Sequence, residues 1–228
     1  MQLGVKDAAG IFEVSEKTIH LWIKDRNLPA YQIGDQYRFN RSELLEWATG
    51  RKIDISPHIM DAPVEGDFTP PRLDEALKLG GVFHKVGGTD KSSVLRAVVE
   101  AMHLPAEVDR GYLLDMLLTR ESLGSTAIGD GIAIPHVRHP IVLHVSHPTV
   151  QICFLEHPIE FGAADVRPVD TLIVLASPTV RAHQHVLSKL AFALKDPRFK
   201  AALTRKSSFQ AIWEESVRIE ASASDTHS

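Results

Sequence analysis

The stretch LTRESLGSTAIGDGIAIPHVRHP, residues 118–140, is the most informative segment for predicting the structure of the larger part of this chain. Residues 132–134, Ile-Ala-Ile, are apolar and compatible with β-structure, so they predict a short buried strand. Pro135 cannot donate to a sheet ladder and is expected to end that strand. His136 would then lie in the following turn, where an imidazole can serve as a metal ligand, a general base or a nucleophile.

The same stretch resembles the active-site signature of phosphotransferase-system enzyme IIA domains of the mannitol/fructose and nitrogen-regulatory type. The residues that carry the resemblance are Arg120, Glu121, Leu123, Gly124, Ser125, Thr126, Gly129, Gly131, Ile132, Ile134, Pro135 and His136. The resemblance implies that His136 accepts a phosphoryl group from a histidine-containing phosphocarrier protein. The resemblance also implies a component of a phosphoryl-transfer system, with a phosphohistidine intermediate, rather than a stand-alone enzyme.

Further roles follow from this resemblance. Nε2 of His136 would take the phosphoryl group, while a backbone carbonyl orients the other ring nitrogen. Arg120 would hold phosphate oxygens with its guanidinium fork, although a salt bridge with Glu121 or another acid is an alternative. Ser125 and Thr126 would donate hydrogen bonds to the phosphate, and both could equally be caps or turn residues.

A second histidine is expected at the same site. His183 lies near the start of a predicted helix, at a position where the family carries a histidine that faces the acceptor. His185 lies only two residues further along and is the less favoured candidate. After His136 the chain continues Val-Arg-His-Pro and departs slightly from the family pattern, which leaves the docking of a partner open.

A metal site is the competing interpretation of the histidines near the signature. The candidate ligands are His136, His139, His144 and His147. Neutral imidazoles are good zinc ligands, but no carboxylate or cysteine completes this set, and Pro140 and Pro148 would break a helix that aligned it. We therefore prefer phosphorylation, for which the sequence implies neither a metal nor a cofactor.

Composition limits the classes of protein to consider. The chain has 228 residues, 44% of them hydrophobic, which is enough for one or two domains with a buried core. Its net charge of −4 gives no global sign of nucleic-acid binding. Cys153 is the single cysteine, so a disulfide framework is excluded. No signal sequence and no membrane-spanning apolar run are present, so we expect a cytoplasmic protein.

Residues 1–50 are predicted to form a small separate domain. Apolar residues at helical spacing predict a helix over 5–12, and Ser15 can cap a second helix that buries Ile19, Trp22 and Ile23. Alternating bulky residues around Gly34-Asp35 predict a β-hairpin over 31–39. Asn40 can cap a last helix over 41–49, with Leu44, Leu45 and Trp47 buried.

This order of elements resembles the excisionase-type branch of the MerR-like winged helix-turn-helix family. The carrying segments are Val5-Lys6-Asp7-Ala8-Ala9, Val14-Ser15-Glu16-Lys17-Thr18, Trp22-Ile23, Leu28-Pro29-Ala30, Tyr37-Arg38-Phe39 and Leu45-Glu46-Trp47. The resemblance implies DNA as a partner, read in the groove by the second helix. Helix-turn-helix proteins commonly need two copies for useful affinity, so a homodimer is also expected.

The candidate DNA contacts fall into two groups. Glu16, Lys17, Thr18 and His20 lie near the N-terminal end of the second helix, which normally meets base edges. Lys24, Arg26 and Arg38 are candidates for phosphate contacts. Through Lys52 basic residues exceed acidic ones by a single charge, which predicts weak electrostatic attraction. A small three-helix interaction module is the alternative.

The rest of the chain is predicted to be an α/β domain. Residues 51–71 are rich in proline and read as a linker, residues 72–217 as the enzyme IIA type 2 domain, and residues 218–228 as a flexible tail. Helices are predicted over 73–79, 91–103, 110–121 and 182–194, followed by two short helices ending near Glu215. Strands are predicted over 82–86, 150–155 and 172–176. Their alternation indicates a mixed β-sheet covered by helices.

The sequence therefore predicts a phosphorylation-responsive regulator that accepts phosphate on His136 and binds DNA through its first domain. One alternative is a sugar-specific phosphocarrier that passes phosphate to a membrane permease subunit. Another is an interaction module whose phosphorylation state controls binding to a regulatory protein target.

Overall fold

The computed structural model describes residues 3–26, 28–33, 36–51, 53, 69–106, 108–137 and 145–225. The chain divides into two compact units, Met1–Thr69 and Pro70–Ser228, and each is described by itself. The predicted Gly34-Asp35 turn and most of the predicted linker lie outside the described residues. No helix in the part of the chain that the structure describes combines the length and apolar character needed to cross a membrane.

The first unit consists of helices and one small hairpin. Its elements are α1 (Val5–Ile11), α2 (Glu16–Asp25), β1 (Tyr31–Ile33), β2 (Gln36–Arg38) and α3 (Arg41–Gly50). Ser15 caps α2, since its Oγ accepts the amide of Thr18 at 3.1 Å. The hairpin strands are antiparallel, and Phe39 pairs with Leu3 beside them. These are the elements in the order that a winged helix-turn-helix requires.

An aromatic cluster joins the three helices of the first unit. The ring centroid of Trp22 lies 5.5 Å from that of Phe12 and 5.3 Å from that of Trp47. Trp47 Nε1 also donates to the carbonyl of Arg26 at 3.2 Å, which ties α3 to the end of α2. Large aromatic side chains contribute much of the buried area in such a small core. This cluster therefore fixes the orientation of α2 within the first unit.

The second unit is built on a five-stranded mixed sheet with the strand order β3-β6-β7-β5-β4. Its elements are α4 (Leu73–Gly80), β3 (Val82–Val86), α5 (Lys91–Ala101), α6 (Arg110–Ser122), β4 (Ala127–Gly129), β5 (Ile132–Ala133), β6 (Thr149–Ile159), β7 (Val169–Ala176), α7 (Val180–Ala193), α8 (Pro197–Thr204) and α9 (Phe209–Asp225). β3 runs parallel to β6 and β5 parallel to β7, while β6–β7 and β4–β5 are antiparallel. The predicted α/β fold with a mixed sheet is confirmed.

Helices cover this sheet because its central strands are apolar on both faces. Cys153 and Leu172 belong to one continuous core with residues of α5 and α6, such as Val98 and Leu117. Neighbouring strand residues point to the opposite face, where α4 packs on β6 and α7 packs on β7. Burial raises the pKa of the Cys153 thiol to about 11, so this cysteine is an inert core residue at neutral pH.

A close approach of backbones fixes α4 against the sheet. A Cβ atom added to Gly80, the last residue of α4, would lie 2.2 Å from the carbonyl oxygen of Val150 in β6. Any side chain at this position would therefore push the helix end away from the strand. Gly80, the residue after the predicted helix over 73–79, is therefore required for packing.

The predicted flexible tail from residue 218 is wrong as far as Asp225, because α9 continues to that residue. Ile219 and Glu220 are only 5% exposed. Glu220 accepts the amide of Leu73 at the start of α4 and the ammonium of Lys189 in α7, each at 2.5 Å. A carboxylate that satisfies two distant donors holds the last helix in place, and nothing in the local sequence indicates those partners.

We expect Glu220→Ala to lower the free energy of unfolding by about 2–4 kcal/mol, because a buried amide and a half-buried ammonium would lose their acceptor. Urea unfolding of the intact protein at neutral pH measures the change. Glu214→Ala is the matched control on the same helix, since Glu214 is exposed and should change stability by about 0.5 kcal/mol or less. Equal stabilities of the two variants would contradict this role of Glu220.

Candidate functional site

The signature stretch forms a tight hairpin that sets the position of His136. Gly129, Asp130 and Gly131 all have positive φ, at 85°, 55° and 76°, so the turn between β4 and β5 favours glycine at both ends. The amide of Asp130 donates to Asp165 at 2.9 Å. This hydrogen bond is the main cause of the lowered pKa of the Asp165 carboxyl. The two signature glycines therefore serve the turn, and the turn aligns β5 beside β7.

His136 lies at the carboxyl end of β5, as the sequence predicts. It pairs with Leu175 of β7 in an isolated parallel bridge, and its side chain is only 1% exposed. Nδ1 lies 2.7 Å from the carbonyl oxygen of Ile134. Since a carbonyl can only accept, Nδ1 carries the proton of this hydrogen bond, and Nε2 of the neutral ring keeps its lone pair. This is the arrangement that a nitrogen nucleophile requires.

His183 lies directly beside His136. The ring centroids are 5.2 Å apart with an angle of 38° between the planes, and His183 is 2% exposed. It belongs to the first turns of α7, which Thr179 caps by accepting the amide of Ala182 at 3.1 Å. His185, two residues further along α7, is less buried than His183. The structure thus brings together the two histidines that the sequence analysis selected.

The loop between α6 and β4 is held by its own polar side chains. Ser125 Oγ donates to the carbonyl of Phe161 at 2.6 Å. The amide and the hydroxyl of Thr126 both donate to Glu121 Oε2, at 3.0 and 2.7 Å. Arg120 Nη1 donates to the carbonyl of Gly124 at 2.9 Å. These contacts fit the alternative of turn residues for Ser125 and Thr126, whose hydroxyl protons are donated to Phe161 and to Glu121.

Lys91 belongs to this loop network, and the sequence analysis missed it. Its Nζ lies 3.1 Å from Glu121 Oε1 and 5.0 Å from the ring centroid of Phe161. Glu121 is only 6% exposed, so its carboxylate needs this cation and the two donors of Thr126. Lys91 is thirty positions upstream, and no local pattern in the sequence relates it to the signature.

No metal site is evident in the described part of the chain, where no group of three or more His, Cys, Asp or Glu side chains could hold an ion. His139 and His144 of the competing zinc hypothesis lie outside the described residues. His147 is exposed and follows that gap. His136 is engaged by Ile134 and His183 as described above.

In the first unit the candidate DNA contacts lie mainly on the exposed side of α2. Glu16, Lys17, His20, Lys24 and Arg26 are all exposed. The hydroxyl of Thr18 is 2.9 Å from that of Ser15, so it belongs to the helix cap. Arg38 lies on β2 and donates to Gln36 Oε1 at 2.6 Å.

Leu21 is a feature of α2 that the sequence analysis missed. It is 49% exposed and lies on one stripe with Lys17 and Lys24, at spacings of four and three residues. The sequence pattern could have indicated this exposure, because Leu21 does not lie on the buried face of the helix, which includes Ile19. The ring of Tyr37 in the hairpin packs against His20 with 5.7 Å between centroids, so the hairpin lies beside this face.

The fold and the paired histidines define the second unit as a IIA domain of the phosphotransferase-system type 2 class, preceded by a helix-turn-helix domain. Comparison with known families agrees. The family described as "Phosphoenolpyruvate-dependent sugar phosphotransferase system, EIIA 2" matches residues 75–215, and "Helix-turn-helix domain" matches residues 3–52. The chain belongs to the EIIA 2 family.

Its relatives include nitrogen regulatory proteins. That of Pseudomonas aeruginosa is 34% identical over 149 residues, which are 62% of this chain and 94% of the relative. That of Escherichia coli K12 is 39% identical over 152 residues, which are 61% of this chain and 91% of the relative. Nitrogen regulatory protein IIA-Ntr of Neisseria meningitidis superimposes with a TM-score of 0.54 at 26% identity, covering 63% of this chain and 98% of that one.

Proposed function

We propose that this protein accepts a phosphoryl group on His136 Nε2 from a histidine-containing phosphocarrier, and that its first unit binds DNA under the control of that phosphorylation. The observation that carries the first part is the hydrogen bond from Nδ1 of His136 to Ile134, which leaves the lone pair on Nε2. Likeness to nitrogen regulatory proteins supports a regulatory role.

The transfer exchanges one phosphorus–nitrogen bond for another. The Nε2 lone pair attacks phosphorus while the bond to the donor histidine breaks, and the donor ring, protonated on its other nitrogen, leaves as neutral imidazole. The acceptor ring gains positive charge in this step, and the carbonyl of Ile134 stabilises that charge through Nδ1–H. Because His136 is 1% exposed, the donor must displace neighbouring atoms to reach Nε2.

The other residues of the site receive supporting roles in this proposal. His183 stabilises the charge on the phosphoryl oxygens, and Arg120 supplies a guanidinium at the end of α6. Ser125 and Thr126 are positioning residues, because their hydroxyls shape the loop before β4. Thr126 acts through Glu121, which Lys91 neutralises.

The second candidate function is a sugar-specific phosphocarrier that passes phosphate to a membrane permease subunit. It is favoured by a relative named "PTS system fructose-specific EIIA component" from Haloferax volcanii, 33% identical over 106 residues. Transfer of labelled phosphate from this protein to a sugar in permease-containing membranes would support it. We prefer regulation, because a helix-turn-helix domain has no role in sugar transfer.

The proposed function is tested in two stages, first phosphorylation and then DNA binding. The intact protein is incubated with phosphoenolpyruvate and the general phosphocarrier proteins, and the acid-labile, base-stable label is mapped by mass spectrometry. One DNA fragment selected by the unmodified protein is then titrated with both forms at identical salt. Phosphate adds close to two negative charges, so we expect affinity to change severalfold, on the order of 1 kcal/mol.

Lys17→Ala provides the control for the DNA arm. Loss of a phosphate contact should weaken binding and reduce the salt dependence by roughly one counterion. Lys6→Ala removes the same charge from α1 and should leave the titration unchanged. Superimposable curves for labelled and unlabelled protein would show that the two units are not coupled, and equal curves for both variants would remove α2 from the DNA interface.

A further inference from the structure

Ser177 carries a hydroxyl whose hydrogen-bonding capacity is not used within the described part of the chain. The residue follows β7 directly and is 0% exposed. Its Oγ is buried and has no hydrogen-bond partner among the described residues. Burying a hydroxyl without a partner costs free energy, and native proteins seldom retain such a group without a reason. The serine therefore calls for a role other than stability.

The strand register relates Ser177 to His136. β5 and β7 are parallel, with Ala133 paired to Leu172 and His136 paired to Leu175. Ser177 lies two residues beyond Leu175, and residues two apart in a strand share a face. The following Pro178 favours an extended backbone at Ser177, so the alternation continues to this residue. Strand spacing and rise place the Cα atoms of Ser177 and His136 about 8 Å apart.

The same edge of the sheet carries the start of α7. Thr179 is the N-cap of this helix of 14 residues, and its carbonyl accepts the amide of His183 at 3.0 Å. One short segment therefore holds both Ser177 and His183, whose ring lies against that of His136. Ligands of α/β sheets bind at the carboxyl ends of the strands, and a helix N-terminus there favours an anion.

We propose that Ser177 is a further residue of the phosphoryl site, with its Oγ donating a hydrogen bond to a phosphoryl oxygen on His136. This inference rests on the proposed function of His136. The hydroxyls of Ser125 and Thr126 already donate their protons, to the carbonyl of Phe161 and to Glu121, whereas Ser177 has its proton to offer. Hydrogen bonds from a hydroxyl to a charged oxygen are short and strong, so this donor would stabilise the phosphoryl group as it is transferred to His136.

The test is Ser177→Ala, assayed in the intact protein for initial rate of phosphorylation and for unfolding midpoint. We expect the rate to fall about tenfold to hundredfold, as for the loss of one hydrogen bond to a charged group. Stability should stay equal or rise, because the variant removes a buried hydroxyl without a partner. Ser188→Ala is the matched control on α7, since its Oγ donates to the carbonyl of Gln184 at 2.8 Å.

The outcomes separate this inference from the proposed function. Label on His136 in the wild type, slower labelling of Ser177→Ala, and an unchanged rate for Ser188→Ala support the role of Ser177. Labelling of Ser177→Ala at the wild-type rate overturns it and leaves His136 as the acceptor. A slow rate that accompanies a lower unfolding midpoint also overturns it, because the serine would then be structural. Absence of label on the wild type would overturn the proposed function itself.

Discussion

His136→Ala is expected to abolish incorporation of acid-labile, base-stable phosphate. The reason is that the variant removes a nitrogen which combines a fixed tautomer, burial at a strand end and a neighbouring imidazole. The hydrogen bond from Nδ1–H to the carbonyl of Ile134, 2.7 Å long, is set by the backbone that directly follows β5. Incorporation from the phosphocarrier, followed by mass spectrometry of the labelled peptide, measures the effect.

His147→Ala is the control for this first prediction. His147 is an exposed histidine of the cluster that suggested a metal site, and its loss should leave labelling unchanged. Undiminished labelling of His136→Ala would contradict the assignment of the acceptor. Unfolding curves of both variants show whether a lost signal reflects chemistry, since the buried ring of His136 also contributes to packing.

His183→Ala is expected to slow phosphorylation of His136 by about ten- to a thousandfold, as for removal of one preorganised electrostatic stabiliser. The two rings lie 5.2 Å apart and both are almost fully buried, so water screens their interaction with a phosphoryl group very little. The acceptor itself would remain, so the yield at long times should still approach the wild-type value. Initial rates at limiting phosphocarrier distinguish the two effects.

His185→Ala and His183→Gln are the controls for this second prediction. His185 is on the same helix two residues later, and we expect its loss to change the rate less than twofold. An amide at position 183 keeps a hydrogen-bond donor, so His183→Gln should recover part of the lost rate. If His136 is phosphorylated as fast in the His183→Ala variant as in the wild type, His183 has only a packing role.

The sequence by itself determined the classes of structure and the acceptor candidate. Apolar residues at helical spacing predicted α4 to α7 to within two residues at each end, because the face that a helix buries is determined by neighbouring positions in the sequence. The signature stretch predicted a strand that ends before His136, and β5 ends at Ala133. Helix-turn-helix order in the first unit followed from caps and turns, which are likewise local interactions.

Strand limits were harder to predict. β4 was missed, because Ala127–Gly129 is too short to show an alternation. β6 extends to Ile159, well beyond the predicted end at Leu155, since its pairing with β7 shifts register and resumes at Val169. A strand persists where a partner strand continues to offer hydrogen bonds, and that partner is known only from the fold.

Which distant side chains meet was decided by the tertiary structure alone. Lys91 meets Glu121 across thirty positions, Glu220 joins the start of α4 to α7, and Ser177 reaches the edge where His136 lies only through the register of β5 and β7. Contacts of this kind depend on which elements become neighbours when the helices pack onto the sheet. Local periodicity reports which face of an element is buried, but it carries no information about the side chain that will lie opposite.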